Sequence, residues 1–344
     1  MVRQKLWNKE VDLDMDRLPA PIEELEVHVH GCQHGWFPSR RNGELLHYRK
    51  YGGGKQRPSK SRPKAVLVFQ HDLQSSSMRG AYVNGQKLGF SLLMEYFVEK
   101  MGYCIYALDA LGHGYSEGKR NYVPDYRVNA HDLEDFTRWA GCQHEVPLFL
   151  MGQGYGATLA VLVGRSLQDN LPKTFGGIIS ISPTICTGRN APSTPVAFLL
   201  KTCLTACVPS WRAPYIVPSP VSPERLWRDS KVRSVYRLLE EGISSHDSYC
   251  VATANSLVLA TRAAHEAILT MSIPFCSITA GNNTIDYLLD YSMTPGEDRM
   301  SLRTKAQAGQ DLLSDLSNSE QVVVFCETFM RKRRYVMDGG VVIL

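Results

Sequence analysis

From residue 65 onward, short apolar runs alternate with stretches of helical periodicity, and this alternation is what most narrows the folds open to the chain. The runs 65–69 (AVLVF), 103–108 (YCIYAL), 147–151 (PLFLM) and 177–181 (GIISI) are too short and too uniformly apolar for amphipathic helices. They read as strands buried on both faces. Between them, 91–100 and 155–167 read as helices, as does 128–140, where Val128, Leu133, Phe136, Trp139 and Ala140 recur at three-to-four spacing. Strand and helix in alternation build a mostly parallel sheet covered on both faces. A length of 344 residues suffices for one such domain with an insertion.

The insertion is visible as a change of texture. Between the strand ending near Ser182 and a further strand at 274–280 lie about 90 residues rich in proline (Pro183, Pro192, Pro195, Pro209, Pro214, Pro218, Pro220, Pro223), with helical stretches at 231–241 and 249–271. A segment placed there would cover the carboxyl ends of the strands, where ligands bind in open parallel sheets, so it reads as a lid. The expected division is an N-terminal extension at 1–25, a core from 26–185 and 272–330, the inserted lid at 186–271, and a short tail at 331–344. The net charge of +4 is small and scattered, and no nucleic-acid reading module is found. The first 18 residues mix charges with isolated apolar residues, unlike a signal peptide, and the apolar stretch 195–209 is too short to span a bilayer. Nine cysteines without a CxxC pair point to reduced thiols and a cytoplasmic location, with contact at a membrane periphery open to the lid.

The most informative stretch is 109–118 (DALGHGYSEG), which follows a strand and carries Asp109, Gly112, His113, Gly114, Ser116 and Gly118. With it, the chain resembles the monoacylglycerol-lipase and serine-aminopeptidase-like branch of the α/β hydrolases, whose members have an Asp-x-x-Gly-His-Gly-x-Ser-x-Gly turn at this point. The resemblance extends over roughly residues 45 to 330. It implies the α/β-hydrolase fold, no cofactor, and a mainly structural role for the turn, His113 included.

The same resemblance locates the catalytic triad, and this chain departs from it three times. A Gly-x-Ser-x-Gly elbow is expected at Gly152-Gln153-Gly154-Tyr155-Gly156, so Gly154 stands at the nucleophile position, without an atom that could attack an ester. The acid belongs to a Gly-x-x-Asp turn, here Gly281-Asn282-Asn283-Thr284, with Asp286 two places on as a displaced candidate. The histidine follows the last strand, which 321–325 (QVVVF) would supply; that puts Arg331 at the histidine position, and no closing helix is expected beyond it. Arginine stays protonated and cannot serve as a general base. For the oxyanion-type donors, the family's His-Gly-x appears as His71-Asp72-Leu73, leaving the N–H groups of Leu73 and Tyr155. Asp72 either faces that spot, where it would repel an oxyanion, or faces solvent.

Two readings of function remain open. One is a catalytically degenerate hydrolase-fold protein that binds an acyl-lipid or small ester ligand near Leu73, Gly154 and Tyr155 beneath the lid stretch 196–204, or a protein partner through the lid. The other is an active ester hydrolase with displaced residues, such as Ser75, Ser76 or Ser77 as nucleophile and His71 or His113 as base. His28, His30, Cys32 and His34 alternate as strand residues sharing a face do, which allows a metal site, though Gly31 and Gly35 favour an exposed hairpin with incidental histidines, so no metal is expected. The run Arg331 to Arg334 reads as a solvated surface, with a nuclear-import or acidic-partner patch as the other reading.

Overall fold

The computed structural model describes residues 2–6, 9–13, 32–41, 43–52, 62–77, 80–183, 204–212, 223–240, 249–280, 299–304 and 311–339. Its strands, in chain order, are β1 (Val2–Leu6), β2 (Lys9–Leu13), β3 (Cys32–Pro38), β4 (Leu45–Tyr51), β5 (Val66–Gln70), β6 (Gly80–Val83), β7 (Gln86–Gly89), β8 (Cys104–Leu108), β9 (Leu148–Gln153), β10 (Phe175–Ile181), β11 (Phe275–Thr279) and β12 (Arg299–Arg303). The helices are α1 (Phe90–Leu93, running on as a π-helix over Met94–Lys100), α2 (Tyr126–Cys142), α3 (Tyr155–Leu167), α4 (Pro223–Leu226), α5 (Ser230–Glu240), α6 (Val251–Thr270) and α7 (Ser319–Met337).

Eight strands form the main sheet in the order β12-β11-β10-β9-β5-β8-β4-β3. From β12 to β8 every pairing is parallel; β4 and β3 are added antiparallel at one edge. The central strands β5, β8, β9, β10 and β11 are nearly uniform runs of buried residues, as a sheet covered on both sides requires. One face packs on α2, α3 and α6 through Leu133, Phe136, Trp139, Leu159, Val163, Ala264 and Ile268. The other packs on α1 and α7 through Phe90, Leu93, Phe97, Val322, Val323, Cys326, Phe329 and Met330. α3 lies close on the sheet because Gly156 has no side chain: a β-carbon there would overlap the carbonyl oxygens of Gln70 and His71.

The main departure from expectation is at the carboxyl end. Residues 321–325 are not a strand but the first turns of α7, and the last strand is β12, about twenty residues earlier. The closing helix expected to be missing is therefore present, and residues 331–337 continue it rather than forming a tail. The physical reason is a stripe: Val322, Val323, Cys326, Phe329 and Met330 are buried at helical spacing, and only a helix carries all five to one face. No helix among the described residues is long and apolar enough to cross a membrane.

Strand order reverses at β5, with β8 on one side and β9 on the other. The loops that leave the carboxyl ends of these three strands, 71–77, 109–118 and the turn at Gly154, converge at that switch point, where open α/β sheets bind ligands.

Candidate functional site

Gly154 follows β9 with φ 56° and ψ −120°, and α3 begins at the next residue. This is the strained elbow that projects a side chain into a hydrolase site, and glycine holds it without a β-carbon penalty. The space a side chain would use is already filled. A β-carbon on Gly154 would overlap the Asp72 carboxyl group.

Asp72 reaches that position because its loop is pinned. His71 Nε2 accepts from the N–H of Ala110 at 3.0 Å, which leaves the proton on Nδ1 to donate to the Asp72 carbonyl at 2.6 Å. The Asp72 side chain then turns beneath the N-terminus of α3. Its Oδ1 accepts from the N–H of Leu73 at 2.7 Å and from the N–H of Tyr155 at 2.6 Å. These are the two donors expected to receive an oxyanion. One carboxylate thus stands both in the nucleophile's volume and on the oxyanion-type donors, where the dipole of a 13-residue helix favours negative charge. Of the two orientations open to Asp72, the inward one is observed. The side chains of Leu73 and Tyr155 are buried in the same core cluster as Leu133, Phe136 and Leu159, and their N–H groups meet the Asp72 carboxylate.

The turn 109–118 is built around the fully buried Asp109 carboxylate. Oδ1 accepts from the N–H of Ser77 at 2.7 Å; Oδ2 accepts from His47 Nδ1 at 2.8 Å and from the N–H of Tyr115 at 3.2 Å. Ser116 Oγ donates to the Asp109 carbonyl at 2.6 Å and accepts from the N–H of His47 at 2.8 Å. Gly114 is required because a β-carbon there would strike the same carboxylate. Gly112 and Gly118, both at positive φ, close the turn, the N–H of Gly112 donating to the Glu117 carbonyl at 2.8 Å. Burial alone would raise the Asp109 pKa, but the hydrogen bond from His47 and the charges of His47, Arg49 and His71 outweigh it and hold the group well below the usual carboxylate range. Burial lowers the His47 pKa, opposed by Asp109. These bonds tie β4, the loop after β5 and the end of β8 together.

Each histidine considered as a displaced base is held by hydrogen bonds within these loops. His71 has both ring nitrogens committed. His113 is buried, its Nδ1 donates to the Leu111 carbonyl at 3.0 Å, and burial, with His71 nearby, pushes its pKa down to about 3. Its Nε2 has no hydrogen-bond partner among the described residues, so no hydroxyl of Ser75, Ser76 or Ser77 reaches it. Ser77 Oγ accepts from Arg49 Nη1 at 2.8 Å.

Arg331, placed at the histidine position by the sequence, is not in the turn after the last strand. It lies on α7 with its side chain 70% exposed, 3.9 Å from Glu327 Oε1. The segment after β12, where the family's histidine would stand, is 304–318, and no histidine follows His265. What that segment does present is Asp311, 3% exposed and missed by sequence reasoning because the strand before it was misplaced. Asp311 Oδ1 accepts from Gln153 Nε2, beside the elbow, and from the N–H of Ser314; Oδ2 accepts from Trp227 Nε1 at 2.9 Å. Tyr236 of α5 hydrogen-bonds Ser314 Oγ at 2.7 Å. Asp311 therefore ties residues 223–240 to the elbow strand. Thr284, Asp286 and the stretch 196–203 lie outside the described residues, as do His28 and His30. Cys32 and His34 do share a face, but among the described residues no three metal-ligating side chains are placed to hold an ion.

The comparisons with known proteins agree with this architecture. The family model described as "Serine aminopeptidase, S33" matches residues 84–288, more than half of the chain. Monoglyceride lipase of Rattus norvegicus is 30% identical over 133 residues, which cover 38% of this chain and 39% of the rat protein. A monoglyceride lipase homolog of Monkeypox virus is 25% identical over 224 residues, 65% of this chain and 72% of the viral one. The match thus spans about two fifths of the rat relative's length. Among solved structures, the monoacylglycerol lipase of Paleococcus ferrophilus superposes with a TM-score of 0.64 at 19% identity, covering 84% of this chain and 99% of its own. A soluble variant of the Saccharomyces cerevisiae monoglyceride lipase gives 0.66 at 15% identity, with 90% and 97% covered. The chain belongs to the serine aminopeptidase S33 family and has the α/β-hydrolase fold.

Proposed function

We propose that this chain is a catalytically degenerate member of its family, which has given up acyl transfer and acts by binding an acyl-lipid or small ester ligand beneath the inserted region. The observation that carries the reading is Asp72. Its carboxylate occupies the volume a nucleophile would need at Gly154 and accepts from both N–H groups that would stabilise an oxyanion. A developing negative charge cannot be bound where a negative charge already sits. The absence of any histidine after His265 removes the general base independently. The choice of an acyl ligand is supported by the relatives, which are named as monoglyceride lipases. A cytoplasmic location is supported by the free thiols of all seven described cysteines.

The test is turnover of a panel of monoacylglycerols and short-chain aryl esters by the purified protein, alongside displacement of a fluorescent fatty acid by the same monoacylglycerols. Hydrolysis is expected at the buffer background and displacement is expected to saturate. Turnover that scales with protein and disappears on substitution of Ser75, Ser76 or Ser77 would replace this reading with that of an active esterase with displaced residues.

A further inference from the structure

The sequence places Cys32 and His34 two apart on β3, and β3 pairs antiparallel with β4 so that Cys32 faces Tyr51, His34 faces Arg49 and Trp36 faces His47. From this hairpin runs an unbroken line of hydrogen bonds. Cys32 Sγ lies 3.5 Å from His34 Nε2; His34 Nδ1 lies 2.9 Å from His47 Nε2; His47 Nδ1 lies 2.8 Å from Asp109 Oδ2.

The direction of each bond is forced from the buried end. An ionised carboxylate only accepts, so His47 carries its proton on Nδ1. Its Nε2 is then a lone pair, which must accept from His34 Nδ1–H. That leaves His34 Nε2 as a lone pair aimed at the Cys32 thiol. The rings cannot readily swing out of line: His34 and His47 stack at 5.2 Å, with Trp36 at 5.3 Å and Tyr115 at 5.4 Å edge-on to His47. The arrangement follows the logic of a nucleophile, a base and an orienting carboxylate, with one more imidazole between base and acid. A proton taken up at His34 is stabilised through His47 by the Asp109 charge.

Two further groups of the hairpin, among the described residues, favour a negative sulfur. Arg49, buried and with no partner at Nη2 among the described residues, adds positive charge beside the hairpin. The Tyr51 hydroxyl is coupled to the thiol by a hydrogen bond, and burial pushes the phenol pKa up, so it remains a donor to sulfur. The contrast with other cysteines is chemical: burial pushes Cys104 up to about 12 and raises Cys276 and Cys326 as well. Cys142 and Cys207 are exposed, and Cys250 hydrogen-bonds a threonine hydroxyl. Cys32 is only partly buried.

We propose that Cys32 is a reactive-thiol modification site that hydroperoxides oxidise to the sulfenic acid, with His34 as the base. His34 removes the thiol proton; the thiolate attacks the distal peroxide oxygen, the S–O bond forms as the O–O bond breaks, and the departing alkoxide or hydroxide takes the proton back from His34. Sulfur is oxidised by two electrons, the peroxide is reduced by two, and the products are Cys–SOH and an alcohol or water. His47 and Asp109 are positioning residues, holding His34 in the tautomer that accepts.

The test is site-resolved alkylation of the full chain by iodoacetamide against pH, with exposed Cys142 as the internal reference, followed by hydrogen peroxide and a dimedone trap. At pH 6 Cys32 is expected to react at least ~10-fold faster than Cys142, with a pH midpoint well below the ~8.5 of a free thiol. His34→Gln is expected to bring the Cys32 rate and midpoint to those of Cys142 and to abolish the dimedone adduct, while Cys142 itself reacts as before. Equal rates and midpoints for Cys32 and Cys142 in the unmodified sequence would overturn the proposal without recourse to any variant, as would a Cys32 rate indifferent to His34→Gln.

Discussion

At residue scale, Gly154 and Asp72 are a matched pair, and each explains the other. Sequence alone gave the identity of both but left Asp72 with two possible orientations, because only the geometry of two loops from different strands decides which way the carboxylate turns. Gly154→Ala adds a β-carbon at φ 56° and drives Asp72 off two backbone donors. The conformational part costs about 1–2 kcal/mol and the stranded N–H groups about 1–3 more. In an Asp72→Gly background the second part is already lost, so urea unfolding of the four proteins is expected to show a coupling of about 1–3 kcal/mol. Additive effects would mean that the two residues do not share this space. His113 offers a different residue-scale check. Unfolded, it takes up a proton below about 6.5; folded, it stays neutral until about 3, so the unfolded chain binds more protons in that window and stability falls as pH falls. The slope from one such group approaches ~1.4 kcal/mol per pH unit. Between pH 7 and pH 5.5, His113→Asn is expected to lose about 1 kcal/mol less than the parent. Asp132, pushed up to about 6 by burial, works in the opposite sense and cancels from that difference.

At the scale of elements, the parallel strands β5, β8, β9, β10 and β11 and the helices α2, α3, α5 and α6 were legible to within a few residues, since buried runs and amphipathic stripes have different periods, whereas β12 was not read. The end of the chain was not, because QVVVF is five residues of high strand propensity and the turns that complete its helical stripe come later. That one misreading moved the expected histidine position onto the exposed Arg331 and hid Asp311. The element-scale consequence is a specific attachment. Residues 223–240 meet the hairpin β6–β7 through Leu226, Trp227, Val232 and Tyr236 against Ala81, Val83 and Leu88, and they are tied to the 3₁₀ turn Leu312–Ser314 through Trp227 and Tyr236. Asp311→Ala removes the acceptor for Trp227 Nε1, Gln153 Nε2 and the N–H of Ser314, at a cost of about 2–4 kcal/mol. Hydrogen exchange is expected to localise the loss, with amides of α5 losing far more protection than those of α3. Uniform loss across both helices would show that Asp311 supports the whole core rather than this attachment.

At the scale of the molecule, the alternation of strand and helix together with one ten-residue turn was enough to identify the architecture, because topology at a switch point is carried by many residues at once. Catalysis is carried by few, and in this fold those few come from loops after different strands, so a working site requires agreement among distant parts of the chain. Repairing one part therefore should not restore the whole. Asp72→Gly with Gly154→Ser would rebuild the elbow, vacate the N–H groups of Leu73 and Tyr155, and supply a hydroxyl. Its proton would still have nowhere to go: His71 is committed at both nitrogens, and His113 is buried with its basicity suppressed. A serine without a base is a poor nucleophile at neutral pH. Aryl-ester turnover by the double variant is accordingly expected to stay within about 10-fold of the unmodified protein. Turnover several hundred-fold above that level would show that a general base lies near the elbow and would overturn the proposed loss of acyl transfer for want of a base.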